Sequence, residues 1–118
     1  LGAGAAGVIV SNHGGRQLDT VPATIDMLPA IADAVGGEVD VLLDGGVRRG
    51  IDVVKALALG ADAVLIGRPV LWALASGGAP GVEAAIRMLA AETREAMTLC
   101  GARTVAELGP ELLAPSRR

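Results

Sequence analysis

The sequence predicts an α/β chain built around a parallel sheet. Three observations predict it: three short apolar runs lack polar–apolar alternation, segments of helical periodicity separate them, and each run ends in a turn rich in glycine and arginine. Strands covered on both faces read as continuous apolar runs, because neither side meets water. Strand and helix in alternation then argue for a parallel layer joined by right-handed crossovers.

The strands are expected at Gly7–Ser11, Val39–Asp44 and Ala63–Gly67. Between the first two, Ile25, Leu28, Ala32 and Val35 recur on one helical face, with Thr24 as N-cap and Gly36-Gly37 as the stop. Ile51, Val54 and Ala58 mark a second helix, which Gly60 ends. Pro69 suits the first turn of a short helix running to about Ala75, and Ser76 to Gly81 reads as a loop. A long helix follows, with Val82, Ile86, Leu89, Thr93, Met97 and Cys100 as its stripe and Glu83 and Arg87 paired on the other side. A last helical turn near Val105–Leu108 leads into a Pro-containing polar tail. His13 and Asp44, at two successive strand ends, lie 31 positions apart, close to the repeat of a (β/α)8 barrel of about 250 residues. The next repeat, Asp44 to Gly67, is shorter at 23 positions. A doubly wound sheet fits the same elements.

Composition narrows the setting. With 118 residues the chain holds one small domain at most. Its 52% hydrophobic and 19% charged content excludes a disordered chain. Phe and Tyr are absent and Trp72 is the only aromatic, which suits a piece of a larger Ala- and Val-rich layer better than a self-sufficient core. A net charge of −3 gives no reason to expect nucleic acid or an anionic membrane as partner. Cys100 is the only cysteine, so no internal disulfide can form and a reducing compartment fits. Leu1 opens the chain without a charged stretch ahead of an apolar one, so no signal peptide is read. The apolar runs are too short for a membrane span, and the terminal Pro-Ser-Arg-Arg is not a peroxisomal address. The expectation is a soluble, cytoplasmic-type chain that lacks its front end.

The chemistry sits at the strand ends. The first turn reads Ser11-Asn12-His13-Gly14-Gly15-Arg16-Gln17-Leu18-Asp19, the second Asp44-Gly45-Gly46-Val47-Arg48-Arg49-Gly50, the third Gly67-Arg68-Pro69. Arg48 and Arg49 fall at a helix N-terminus, where cations oppose the helix dipole. Glycine N–H groups, dipole and guanidinium together suit an anion, most naturally a phosphate, and Arg68 repeats the arrangement. The plainer reading, solvated arginines on ordinary glycine turns, loses ground because the pattern occurs in two consecutive units. His13 is the only histidine. Gly14-Gly15 allows close approach of a ligand, and Arg16 offers a bidentate fork for a carboxylate. A titratable base beside a carboxylate clamp suits proton abstraction from a small acid.

These three motifs, in this order, resemble the FMN-dependent α-hydroxy-acid dehydrogenase/oxidase family, which includes glycolate, lactate and mandelate enzymes. The similarity runs from about Gly7 to Leu108. The resemblance implies that residues 1–118 form the C-terminal part, about strands 6–8, of a single (β/α)8 TIM-barrel domain. It implies His13 as the catalytic base and Arg16 as the substrate-carboxylate contact. It implies Asp44, Gly45, Gly46, Val47 and Arg48, with Gly67 and Arg68, as the FMN-phosphate site, and no metal. The implied reaction is oxidation of a small 2-hydroxy acid to the 2-oxo acid by a homo-oligomeric parent. The family also uses tyrosines on the substrate, a lysine near the flavin ring and an aspartate that orients the histidine. None has a counterpart here: there is no Tyr, and Lys55, the one lysine, falls mid-helix. The segment alone is therefore expected to be inactive. Two other readings share the motifs: another FMN or phosphosubstrate barrel, such as an isomerase, and a non-catalytic remnant that associates with other chains through open sheet edges.

Overall fold

The computed structural model describes residues 2–114. Leu1 and the terminal Pro-Ser-Arg-Arg segment, part of the expected polar tail, lie outside the described residues. The elements alternate as expected. β1 (Gly7–Val10) leads through a tight turn at His13–Gly15 into α1 (Thr24–Val35), followed by β2 (Asp40–Leu43), α2 (Gly50–Ala58), β3 (Ala63–Val64) and α3 (Arg68–Leu99). Two 3-10 turns, Val105–Glu107 and Pro110–Leu112, close the chain. The strands are shorter than the apolar runs, because residues 11, 44 and 65–67 already belong to the turns beyond them.

The sheet is three-stranded and wholly parallel, in the order β1-β2-β3. Register pairs Val8 with Val41, Ile9 with Leu42 and Val10 with Leu43, then Leu42 with Ala63 and Leu43 with Val64. Because side chains alternate across a sheet, Val10, Val41 and Leu43 share one face. They are buried in a single core with Leu28 and Val35 of α1 and Ala56 of α2. Both crossover helices therefore cover the same face. The opposite face carries Ile9, 57% exposed, and Leu65, 40% exposed, and no described helix covers it. A strand order that never reverses, with both helices on one side, is not the doubly wound arrangement, which places helices on both faces.

Helix ends follow turn chemistry with one exception. Gly36, in the left-handed region at φ 60°, caps α1, and its N–H donates to the Ala32 carbonyl. Gly60, at φ 100°, follows α2. Thr24 is not the N-cap of α1. Ala23 holds that place, and Thr24 is the first helical residue, buried, with its hydroxyl spent elsewhere.

The expected short helix, six-residue loop and long helix form one 32-residue stretch broken only at Gly77 and Gly78. Gly78 (φ 60°, ψ −148°) takes a conformation that essentially only glycine adopts. Gly81 then lies against the Ala73 carbonyl, where a Cβ would collide, so the kink packs the second segment closely on the first. The inward side of that second segment also differs from the expected stripe: Ile86 and Cys100 are exposed, whereas Ala85, Glu92 and Ala96 turn inward with Val82, Leu89, Thr93 and Met97. Its far end packs on α2, where Val54, Ala58, Ala102 and Leu108 form a second core with Ala96 and Met97. At the start of α2, Gly50 touches the main chain of Glu92 and Thr93, so closely that any side chain at position 50 would collide. Glu83 and Arg87 form the expected i,i+4 ion pair on the exposed side. Despite its length, α3 is not apolar enough to cross a membrane, and neither is any other described helix.

Candidate active site

The turns after β1, β2 and β3 leave the sheet at one end, because parallel strands bring all their C-terminal ends to the same edge. The turn after β1 is the most constrained. His13, Gly14 and Gly15 all have positive φ, at 53°, 68° and 71°. For a non-glycine residue such as His13 this costs of order 1–2 kcal/mol. Local hydrogen bonds offset it: the Ser11 hydroxyl accepts the His13 N–H at 3.2 Å, Asn12 Oδ1 accepts the Gly14 N–H at 3.0 Å, and the Asn12 carbonyl accepts the Gly15 N–H at 2.9 Å. Asn12 Nδ2 in turn donates to the Pro22 carbonyl. Ser11 and Asn12 thus hold His13 in a turn it would not adopt alone.

The turn after β2 stacks two left-handed glycines, Gly45 (φ 91°) and Gly46 (φ 85°). Gly45 has no room for a side chain: a Cβ there would lie 2.8 Å from Thr24 Oγ1 and 3.2 Å from Asn12 Oδ1. Those two groups fix the turn from both sides. The Thr24 hydroxyl donates to the Asp44 carbonyl at 2.5 Å, tying the start of α1 to the end of β2. Val47 faces both ways, its side chain in the main core and its other surface against the cavity.

A cavity of about 250 Å³ opens between the three turns. It is lined by His13, Gly14 and Arg16 from the first, by Asp44 to Arg48 from the second, and by Gly67, Arg68 and Pro69 from the third. Leu65 and Leu71 supply apolar wall. All nine residues singled out from the sequence, His13, Arg16, Asp44, Gly45, Gly46, Val47, Arg48, Gly67 and Arg68, are in this one lining. The Arg68 guanidinium reaches back across the sheet end to the first turn, where a Cβ on Gly14 would lie 3.4 Å from Nη2.

The electrostatics are one-sided. Three arginines and one carboxylate, Asp44, line the cavity, on a chain whose net charge is −3. The described ion pairs are Arg87–Glu83 and Arg103–Glu107, so no described carboxylate neutralises Arg16, Arg48 or Arg68. Asp44 Oδ1 is buried without a hydrogen-bond partner among the described residues. Such an oxygen calls for a donor. The cavity therefore suits a ligand that is anionic and also carries hydroxyl or N–H groups.

One expectation is corrected. The dipole at the start of α2, expected to help attract an anion, is already answered by carboxylates of the chain itself. Asp52 Oδ2 accepts from the N–H of Arg48 at 3.1 Å and of Arg49 at 3.0 Å, and Glu92 Oε2 accepts from the N–H of Gly50 at 2.8 Å. The protein's own carboxylates thus answer the dipole and the first donors, which leaves guanidinium groups and the glycine turn to attract an anion. Asp52, four residues after Arg48, carried a legible signal as an acidic residue in a helix's first turn. Glu92, 42 residues from Gly50, carried none.

Fold and cavity define a parallel α/β unit with an arginine-lined cavity at its strand ends. Its affiliation is specific: residues 1–115 match the family of FMN-dependent dehydrogenases, and the chain belongs to that family. It is 60% identical to L-lactate oxidase of Lactobacillus jensenii over 92% of this chain and 26% of that protein. It is 53% identical to 2-hydroxyacid oxidase 2 of Rattus norvegicus over 94% of this chain and 31% of that protein. Among solved structures, a mandelate oxidase variant carrying a monooxide FMN adduct superposes with a TM-score of 0.87 at 56% identity, covering 89% of this chain and 33% of that one. The chain thus spans about a quarter to a third of the length of the relatives it matches.

Proposed function

We propose that this chain is the flavin-phosphate and substrate-carboxylate segment of an FMN-dependent enzyme that oxidises a small 2-hydroxy acid to the 2-oxo acid. In this reading β1, β2 and β3 are about strands 6–8 of a (β/α)8 barrel, and the exposed Ile9–Leu65 face is part of the barrel interior. The observation that carries the proposal is the shared lining of a single cavity: a histidine–arginine pair on one strand end and two glycine–arginine turns on the next two.

The residues fit FMN. A phosphate would lie against the Gly45-Gly46 turn, where no side chain projects, between the uncompensated guanidinium groups of Arg48 and Arg68. Asp44 Oδ1, which a phosphate cannot satisfy, suits a hydroxyl of the ribityl chain. Bound FMN would supply the two-electron redox chemistry. Arg16 would hold the substrate carboxylate by a planar two-point contact. His13 would take a proton from the substrate, its imidazole aimed by the left-handed turn that Ser11 and Asn12 enforce.

The test is anaerobic stopped-flow reduction of the flavin by a panel of 2-hydroxy acids, in the full-length polypeptide containing this segment. His13→Asn should slow reduction by about 10²–10⁴-fold with FMN still bound. Arg16→Lys should chiefly raise the substrate concentration needed. Normal reduction in His13→Asn would remove the base, and with it the reason to prefer a hydroxy-acid enzyme over another flavin barrel.

A further inference from the structure

Trp72 lies outside both hydrophobic cores. It sits in the second turn of α3, one residue after the cavity-lining Leu71, with 52% of its surface exposed. The Arg48 guanidinium carbon lies 6.0 Å from the centre of its ring, within the range where a cation is attracted to the π face. No other side-chain partner of Arg48 is found among the described residues.

The two ends of Arg48 are held differently. Its main-chain N–H is fixed by Asp52, which sets where the side chain starts. The long side chain still has several free torsions, and something must choose among them. A carboxylate could do so, as Glu83 does for Arg87, but it would neutralise the guanidinium and compete with an incoming anion. An indole face orients the guanidinium and leaves its charge and its in-plane N–H donors available. We propose that Trp72 is a positioning residue for Arg48, holding the guanidinium at the cavity so that it meets the FMN phosphate pre-organised. The inference rests on the reading of Arg48 as a phosphate contact and assigns the residue that makes that contact effective.

The test uses the full-length polypeptide freed of flavin and titrated with FMN and, separately, with riboflavin, which lacks the phosphate. Trp72→Leu should raise the Kd for FMN about two- to fivefold, the worth of an exposed cation–π contact, and leave the Kd for riboflavin unchanged. Trp72→Phe should recover most of the loss, because it keeps a π face. In a double-mutant cycle, Trp72→Leu should add little once Arg48→Ala is present. An equal loss for both flavins would make Trp72 a packing residue and overturn the proposal, as would no loss for either. If Arg48→Ala itself leaves FMN binding intact, the phosphate reading fails first. If Arg48→Ala weakens FMN but Trp72→Leu does not, only the present inference fails. Should Trp72→Leu not accumulate in folded form, Trp72→Met, which keeps bulk without a ring, is titrated the same way.

Discussion

Replacing Gly45 by alanine probes the turn on which the proposed phosphate site depends. Two costs add. An alanine held at φ 91° gives up about 1–2 kcal/mol relative to an ordinary backbone conformation. Its Cβ would also stand 2.8 Å from Thr24 Oγ1 and 3.2 Å from Asn12 Oδ1, so the hydroxyl must move off the Asp44 carbonyl it now meets. Losing that hydrogen bond costs about 0.5–1.5 kcal/mol more, giving a total of roughly 1.5–3.5 kcal/mol. Gly46→Ala is the internal control. Its φ of 85° imposes the same backbone cost, but no atom lies within 4 Å of the added Cβ, so it should lose only about 1–2 kcal/mol. Urea unfolding of the flavin-free full-length variants measures both, and a flavin titration should show FMN affinity falling further for Gly45→Ala. Equal destabilisation by the two substitutions would refute the argument that Thr24 and Asn12 clamp Gly45, and a loss below about 0.5 kcal/mol for either would refute the backbone argument.

Further expectations follow from the same contacts. Gly50→Ala should force α2 away from α3 and cost at least about 1–3 kcal/mol, read as a lowered denaturation midpoint; an unchanged midpoint would mean the two helices do not pack at Glu92 and Thr93. Thr24→Val, which keeps the shape and removes the donor to Asp44, should cost about 1 kcal/mol and loosen FMN in the titration; wild-type values in both would leave that hydroxyl without a role. Arg48→Ala should weaken FMN retention more than it alters reduction of the enzyme that still holds flavin, and equal retention would remove Arg48 from the phosphate site. Residues 1–118 expressed alone leave Ile9 and Leu65 uncovered, so the piece should self-associate or bind a hydrophobic dye instead of melting as a two-state monomer in calorimetry; a sharp monomeric melt would count against its being part of a larger barrel.

Much of the fold was readable from residues near one another in the chain. The three strands, the glycine ends of α1 and α2 and the Glu83–Arg87 pair depend on interactions within a few residues, so their signals survive in the sequence alone. That nine residues would line one cavity was readable for the same reason, since each stands in or beside a strand-end turn whose composition is itself the signal. The tertiary structure decided what depends on distant partners. Thr24 looked like a cap because its type and position suit one, yet its hydroxyl went to a carbonyl 20 residues away. The N-terminus of α2 looked like an anion site until Glu92, brought close by the Gly50 contact, took the donor at its start. The stripe of α3 held at Val82, Leu89, Thr93 and Met97 but missed at Ile86 and Cys100, because a run of apolar residues shows only which side can be buried, and the approach of α2 determined which side is. A hydrogen bond or a packed face is a choice between competing partners. Sequence proximity settles that choice only when the winning partner is local, and at Thr24, Gly50 and Ile86 the result came from residues the chain brings together by folding.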